Sequence, residues 1–248
     1  MKSMVCIVLN CILVVLFCGG VSSETILVPG DYPTIGTAID AAANGDTVMV
    51  ADGVYTGYGN RNVSFEGKAI TVISENGPET CIIDCGGSSS SDHRAFNFIS
   101  GETSESRLCG FTIRNGYAGP YMWPSHGGAI LCEDSSPIIE YCIFENNHAY
   151  FSGGAIEANG GHVTIRFCSF TDNNVDFLGG AVYVHTAGTI ENCWFDDNVA
   201  LGTSGLSGSG GAIYASFDSV DINIDYCTFT RNSAESGGAI GASSGYTK

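Results

Sequence analysis

One short sequence unit recurs along the second half of the chain and constrains the fold more than any other feature. Each full copy has a cysteine, a phenylalanine two residues later, an asparagine three residues after that, and then Gly-Gly-Ala-Ile or Gly-Gly-Ala-Val. Residues 142–147 and 153–156 form one such copy, and a degenerate first copy runs from 109–111 to 127–130. The cysteines are 33, 26, 25 and 34 residues apart, and the Gly-Gly pairs 26, 26, 31 and 27. A period in this range predicts a solenoid of stacked coils.

The residues within one copy predict short β-strands joined by tight turns. After the glycines at 153–154, Ile156 and Ala158 alternate with Glu157, so the two apolar side chains are expected inside and the glutamate outside. Each coil alone cannot bury its apolar face, but stacking buries a continuous column. The pattern therefore predicts an all-β parallel β-helix. The recurring asparagines are expected to form a hydrogen-bonded ladder between coils, and they are Asn147, Asn173, Asn198 and Asn232.

The recurring cysteines are expected to stack in a second internal column. Neighbours in such a column lie about 4.8 Å apart, and parallel side chains at this spacing do not reach disulfide torsions easily. We therefore interpret them as buried free thiols, with disulfides in an oxidising compartment as the alternative. The predicted column consists of Cys109, Cys142, Cys168, Cys193 and Cys227.

The N-terminal part of the chain divides into a signal and a cap. Residues 1–23 combine a lysine, an apolar run and a small-residue cleavage site, which is typical of an export signal. Residues 24–60 are expected to form the N-terminal cap and first strands, with a short amphipathic helix at 34–43 that covers the open end of the solenoid. The coils are assigned to 61–248. Because the last Gly-Gly-Ala-Ile stretch ends eight residues before Lys248, we expect the coils to continue in a longer protein.

The charge of the chain restricts its partners. With 26 acidic and nine basic residues, the formal net charge is −17, which disfavours nucleic acid and anionic lipid as ligands. No membrane-spanning segment is expected. No cofactor is predicted, although an acidic surface can attract calcium.

Two stretches resemble known families. The Phe-x-x-Asn and Gly-Gly-Ala-Ile pair resembles the repeats of polymorphic outer membrane proteins, and residues 31–55 are similar to the N-terminal cap of the pectate-lyase-like superfamily. The resemblance implies a right-handed, single-stranded parallel β-helix in an exported or cell-surface protein. It leaves activity open, because that superfamily includes lyases, hydrolases, esterases, epimerases and proteins of no known reaction.

The candidate ligand-binding residues lie where the copies differ. The strand after each Gly-Gly pair presents two outward columns, one of Leu131, Glu157, Tyr183 and Tyr214, the other of Glu133, Asn159, His185 and Ser216. Aromatic rings beside acids and a histidine are suited to sugars. The candidates are Glu133, Glu157, Tyr183, His185 and Tyr214, together with Tyr121 and Trp123 of a long insertion at 117–126. The histidines at 93, 126, 148 and 162 are expected to be solvated loop residues.

These observations favour a non-catalytic binding or adhesive rod whose partner is a polysaccharide or another cell-surface ligand. A polysaccharide-acting enzyme, lyase or hydrolase, is the alternative. A lyase is disfavoured because the outward columns contain no lysine or arginine as a base. An enzyme of either kind would need Glu133, Glu157 and His185 together in one acidic groove.

Overall fold

The structure, a computed structural model, describes residues 23–120, 125–203, 205, 207–217 and 222–244. Nearly all of the predicted export signal, and the candidates Tyr121 and Trp123, lie outside these residues. The described residues form one helix and 27 short β-strands. All described pairings between the strands are parallel, from Thr25–Val28 at one end to Ile240–Ser244 at the other.

The strands that precede the full repeats are Thr25–Val28 (β1), Thr47–Val50 (β2), Gly53–Tyr55 (β3), Val63–Ser64 (β4), Thr71–Ser74 (β5), Cys81–Asp84 (β6), Phe96–Phe98 (β7), Arg107–Cys109 (β8), Thr112–Arg114 (β9) and Tyr117–Ala118 (β10). Those of the repeats are Ile130–Glu133 (β11), Ile138–Glu140 (β12), Ile143–Glu145 (β13), His148–Ala149 (β14), Ile156–Asn159 (β15), His162–Arg166 (β16), Ser169–Thr171 (β17), Asn174–Val175 (β18), Val182–Val184 (β19), Ala187–Glu191 (β20), Trp194–Asp196 (β21), Val199–Ala200 (β22), Ile213–Phe217 (β23), Ile222–Asp225 (β24), Thr228–Thr230 (β25), Ser233–Ala234 (β26) and Ile240–Ser244 (β27).

The strands stack into four parallel sheets along the rod, the fourth of which begins only at β10. Sheet 1 has the order β1-β2-β5-β8-β12-β16-β20-β24 and sheet 2 the order β3-β6-β9-β13-β17-β21-β25. Sheet 3 is β4-β7-β11-β15-β19-β23-β27, and the short sheet 4 is β10-β14-β18-β22-β26. Within a coil the chain passes through sheets 1, 2, 4 and 3 in turn. This arrangement confirms the predicted all-β parallel β-helix.

A short helix closes the N-terminal end of the rod, as the sequence pattern predicts. Helix α1 spans Ile35–Ala41 and is capped by Thr34, whose hydroxyl accepts a hydrogen bond from the Thr37 amide. Its buried face contacts the first strands of the solenoid. At the other end of the helix, the Lys68 ammonium donates to the carbonyl oxygens of Ile39 and Asp40, both at 2.8 Å, which satisfies groups that a helix C-terminus leaves open.

The recurring asparagines bond from coil to coil at the turn between sheets 2 and 4. Asn147 Nδ2 donates to Asn173 Oδ1 at 2.9 Å, Asn173 Nδ2 donates to Asn198 Oδ1 at 3.0 Å, and Asn198 Nδ2 donates to Asn232 Oδ1 at 2.9 Å. The first three of these residues are completely buried. Below them the phenylalanine rings stack with centroid separations of 4.7–5.1 Å in the order Phe144, Phe170, Phe195 and Phe229.

The cysteine column differs from the prediction at its first member. Cys109 ends a strand of sheet 1 and pairs with Glu140, so it is not aligned with the other four cysteines. Phe111 holds the column position instead. Thr112 pairs with Ile143, and Ile143 directly follows Cys142, so Phe111, directly before Thr112, is aligned with Cys142. One coil earlier the position belongs to Cys81. The column is therefore Cys81, Phe111, Cys142, Cys168, Cys193 and Cys227.

The thiols of the described cysteines are all free. Burial raises the pKa of the Cys81 thiol to about 12, so this thiol stays protonated and unreactive at physiological pH. The cysteines of the column act as small apolar side chains in or against the core.

The Gly-Gly pairs form the tight turn between sheets 4 and 3. Gly153 has a φ of 62°, and a Cβ atom there would overlap the carbonyl oxygen of Ile156. A Cβ atom on Gly154 would overlap the carbonyl oxygen of Gly180 in the next coil. Only glycine fits both positions, and the turn places Ser152 directly beside the strand that carries Glu157.

Candidate functional site

A groove of about 560 Å3 lies along sheet 3 and the turn before it. It crosses three coils of the solenoid, so its lining combines residues that are 25 or more positions apart in sequence. Four of the candidates named from the sequence line it, and they are Glu133, Glu157, Tyr183 and His185. The other lining residues are His126, Phe151, Ser152, Asn159, Phe177 and Leu178.

One side of the groove is an aromatic surface built from strands of sheet 3. Tyr183 pairs in register with Tyr214 of the next coil, and their rings stack with centroids 5.7 Å apart and an interplanar angle of 4°. The Tyr183 hydroxyl lies 3.2 Å from His185 Nδ1. The fifth candidate, Tyr214, thus extends the surface beyond the groove. The open side of such a stacked pair offers apolar ring atoms to the C–H groups of a sugar, while nearby polar groups can bond its hydroxyls.

The opposite side comes from the segment before the Gly-Gly pairs, which the sequence pattern did not single out. Phe151 and Phe177 occupy equivalent places in adjacent coils, with ring centroids 5.6 Å apart. Phe177 is buried, whereas Phe151 is exposed. The available signal was an aromatic residue two positions before a Gly-Gly pair. The groove therefore has aromatic groups on two sides.

Glu157 lies in the groove but is not the exposed outward residue that the strand alternation predicts. Only 3% of its surface is exposed. It pairs with Leu131 and Tyr183 in the coils on either side, and a Cβ atom on Gly127 would lie 3.1 Å from its own Cβ. The turn at Gly127 covers the outward face of sheet 3 at this point. The alternation of residues within one strand cannot reveal this.

Burial dominates the ionisation of Glu157. Loss of solvent, together with the negative charge of Glu133, raises the pKa of its carboxyl, which reaches about 8 once all its neighbours are counted. A hydrogen bond with Ser152 and the positive charge of Arg94 act in the opposite direction. Glu157 is consequently protonated and neutral over most of the physiological pH range.

Arg94 lies under this site and was not identified from the sequence. It is almost fully buried, and its Nη2 donates to the carbonyl oxygen of His126 at 2.8 Å. Burial lowers its pKa to about 10, which leaves it positively charged at neutral pH. The amide of Ala95 donates to the carbonyl oxygen of Ala129, so these two residues are equivalent in adjacent coils. Arg94, one residue before Ala95, therefore occupies the place that Gly128, the second glycine of its pair, has in the next coil. The available signal was a degenerate copy hidden at 93–96.

His126 was expected to be a solvated loop residue, and the structure contradicts this. Its ring is half-buried in the groove, and Nδ1 lies 2.6 Å from the Ser152 hydroxyl oxygen. Burial, and then the charge of Arg94, lower the pKa of His126, so the imidazole is neutral at physiological pH. Ser152 therefore contacts both a neutral imidazole and a protonated carboxyl.

A second aromatic surface lies at the corner between sheets 1 and 2, away from the candidates. Tyr141 and Phe167 are exposed, and their rings stack 4.9 Å apart. Their φ angles are both 54°, a conformation that bulky residues rarely adopt. Tyr226 occupies the same corner two coils further on, with a φ of 51°. The sequence signal was an aromatic residue immediately before three of the recurring cysteines.

The described residues contain no group of three or more His, Cys, Asp or Glu side chains that could hold a metal ion. Calcium therefore has no candidate ligand set in this part of the chain. No helix within the described ranges is long and apolar enough to span a membrane.

Comparisons with known proteins agree with the architecture. No curated protein and no solved structure matches the sequence. The family described as "Right handed beta helix region" matches residues 51–247, which is most of the chain and all of its repeats. Together with the stacked parallel sheets, this match shows that the chain belongs to the right-handed β-helix family.

Proposed function

We propose that this protein is an exported rod that binds a neutral polysaccharide in the groove along sheet 3. The observation that carries the proposal is the stacked Tyr183–Tyr214 pair, which continues into a groove with aromatic residues on its other side. Stacked coils repeat every 4.8 Å or so, and this gives a line of binding positions suited to an extended polymer. Export is inferred from residues 1–23 of the sequence.

The charge of the protein favours a neutral ligand over an acidic one. The net charge is −17, and Glu133 adds a carboxylate to the groove itself. Arg94, whose charge reaches Glu157, is itself buried and donates to the backbone carbonyl oxygen of His126. An acidic polysaccharide would meet repulsion of like charges, whereas sugar hydroxyls can bond the carboxylate and imidazole groups.

Binding to four soluble neutral polysaccharides (hydroxyethylcellulose, galactomannan, arabinoxylan and amylose) tests the proposal, with polygalacturonate as the acidic comparison. We expect retardation of the protein in affinity gels that contain at least one neutral polymer. The variants Tyr183→Ala and Tyr214→Ala should each weaken this binding about tenfold, which corresponds to roughly 1.4 kcal/mol.

Tyr58→Ala is the matched control, because Tyr58 is 99% exposed and lies outside the groove. It should bind like the unmodified protein. The proposal is wrong if none of the neutral polymers binds, or if both groove variants bind as tightly as the control.

A further inference from the structure

We propose that the cysteine column binds one soft monovalent metal ion, Cu(I), in line between the thiolates of Cys168 and Cys193. The column contributes one thiol in each of four consecutive coils, from Cys142 to Cys227, and all four are free. The site lies inside the rod and is separate from the groove along sheet 3. It therefore does not depend on the proposed function.

The four sulfur atoms form a regular row because their side chains point the same way in every coil. Each thiol donates to the carbonyl oxygen two residues earlier, at 3.2–3.3 Å. The sulfur atoms of Cys168, Cys193 and Cys227 also lie 3.6–3.8 Å from a carbonyl oxygen of the preceding coil. Since these contacts are equivalent from coil to coil, the distance between neighbouring sulfur atoms equals the step between coils.

The step between coils can be read from the phenylalanine two residues after each of these cysteines. The ring centroids of Phe170 and Phe195 are 4.7 Å apart, and the rings are within 4° of parallel. The steps on either side of this pair are slightly longer, at 4.9 and 5.1 Å. The Sγ atoms of Cys168 and Cys193 are therefore about 4.7–4.8 Å apart, which is one strand spacing, and they form the closest pair of the row.

This separation fits two metal–sulfur bonds in a straight line. A zinc–thiolate bond is about 2.3 Å long, and a bond from Cu(I) to a thiolate is of similar length, so two such bonds in line span about 4.6 Å. Thiolates are the ligands that soft ions such as Cu(I) prefer, and Cu(I) takes two of them in a linear arrangement. An ion midway between Cys168 and Cys193 would require the sulfur atoms to move by only tenths of an ångström.

The row selects against other metals. A structural zinc ion needs four ligands at the corners of a tetrahedron, whereas a thiol in the row has neighbouring thiols only in the coils on either side. The described ranges hold no group of three or more side chains suited to a metal ion. Calcium prefers oxygen ligands. A two-coordinate ion is the one that a straight row of thiols can satisfy.

The same geometry keeps the thiols reduced. A disulfide bond is about 2 Å long and needs a torsion near 90° about the bond. Cys168 and Cys193 would have to close more than half of their separation and rotate away from their shared orientation. The row therefore favours two thiols that face one ion over two thiols joined to each other.

An ion can reach the column from the corner between sheets 1 and 2. A depression of about 370 Å3 there is lined by Cys142 and Cys168, together with Asn192 and Trp194, the residues on either side of Cys193. A metal ion deprotonates a coordinating thiol outright, so the two thiols each release a proton to solvent, and no electron is transferred. The complex of Cu(I) with two thiolates has one negative charge, which the thiols of the adjacent coils can stabilise as hydrogen-bond donors.

Two double variants with equal numbers of thiols test the proposal. Cys168→Ala with Cys193→Ala removes the central pair and leaves two isolated thiols in the row, whereas the control, Cys142→Ala with Cys227→Ala, keeps the central pair. In every version of the full chain, alanine also replaces the three cysteines of the predicted export signal (Cys6, Cys11 and Cys18). The proteins are titrated with the acetonitrile complex of Cu(I) in the absence of oxygen, in competition with the chelator bicinchoninate.

We expect the unmodified column to hold one ion. Loss of the central pair should weaken Cu(I) binding at least about 1,000-fold, because an isolated thiol offers one ligand where the pair offers two, and the control should stay within about tenfold. The melting temperature of the unmodified column and of the control should rise with one equivalent of Cu(I). That of the variant without the central pair should not rise.

X-ray absorption at the copper edge provides a readout that does not depend on how the variants fold. With one equivalent of Cu(I) bound to the unmodified column, we expect two sulfur neighbours and no nitrogen or oxygen ligand. Equal affinities of the two double variants, three or more ligands around copper, or a disulfide between Cys168 and Cys193 in the purified protein would each overturn the inference. Failure to bind Cu(I) would also overturn it and would leave polysaccharide binding in the groove unaffected.

Discussion

Replacement of one buried asparagine should test whether the amide ladder holds the coils together. The Asn173 side chain makes four hydrogen bonds. Its Nδ2 donates to the Phe144 carbonyl oxygen and to Asn198 Oδ1, both at 3.0 Å. Its Oδ1 accepts from the backbone amide of Asn147 at 3.1 Å and from Asn147 Nδ2 at 2.9 Å. The substitution Asn173→Ala removes all four bonds from a site with no solvent access.

The expected cost follows from that count. At a net contribution of about 1 kcal/mol per buried hydrogen bond, Asn173→Ala should lower the free energy of unfolding by about 4 kcal/mol. Asn232 makes three side-chain bonds and is only partly buried. Water can replace part of what is lost there, so Asn232→Ala should cost about half as much.

Urea denaturation followed by circular dichroism measures both effects. Asn223→Ala is the control, because Asn223 lies in a strand but is exposed, and its substitution should change the free energy of unfolding by less than about 0.5 kcal/mol. A loss below about 1 kcal/mol for Asn173→Ala would refute the role of the ladder. Equal losses for Asn173→Ala and Asn223→Ala would do the same.

Two further predictions concern the turn and the buried acid. Gly153→Ala should destabilise the fold by at least about 2 kcal/mol, because it combines a positive φ with overlap of the Ile156 carbonyl oxygen. The control Gly101→Ala, at a φ of 77° in open space, should cost only about 1 kcal/mol. Equal decreases in melting temperature for the two variants would contradict this reasoning. The pKa of Glu157 rises from 4.5 to about 8 on folding, so between these pH values the unfolded chain releases a proton that the folded chain keeps, and stability should fall as pH rises. Glu157→Gln should therefore lose less stability between pH 5 and pH 8 than the unmodified protein does. If the urea midpoints of the two proteins change equally with pH, Glu157 is not buried as described.

The sequence predicts the fold well because the relevant interactions repeat. The strand after each Gly-Gly pair, the internal phenylalanines and the asparagine ladder follow from positions that recur at one period. Where a copy is degenerate, the same logic fails. Cys109 matches the repeat by residue type, but Gly110, at a φ of 81°, makes the turn there. The column therefore continues through Phe111.

The candidate site was only partly predictable. Strand alternation identifies Tyr183 and His185 as outward residues, and both line the groove. The same alternation places Glu157 outside, although the turn at Gly127 in the preceding coil covers it. Both His126 and Arg94 lie in the turn before sheet 3 and not in a strand, so strand alternation does not reveal their positions.

The sequence by itself determines the coil, because a period near 25 residues with fixed glycine, phenylalanine and asparagine positions leaves stacking as the way to bury each apolar face. The tertiary structure decides which side chains from different coils share one environment. The burial of a residue depends on which side chains and turns of the neighbouring coils cover it. These covering residues differ from coil to coil and do not follow the period of the sequence. Only the stacked rod therefore makes Glu157 a neutral acid and leaves Glu133, one coil away, in contact with solvent.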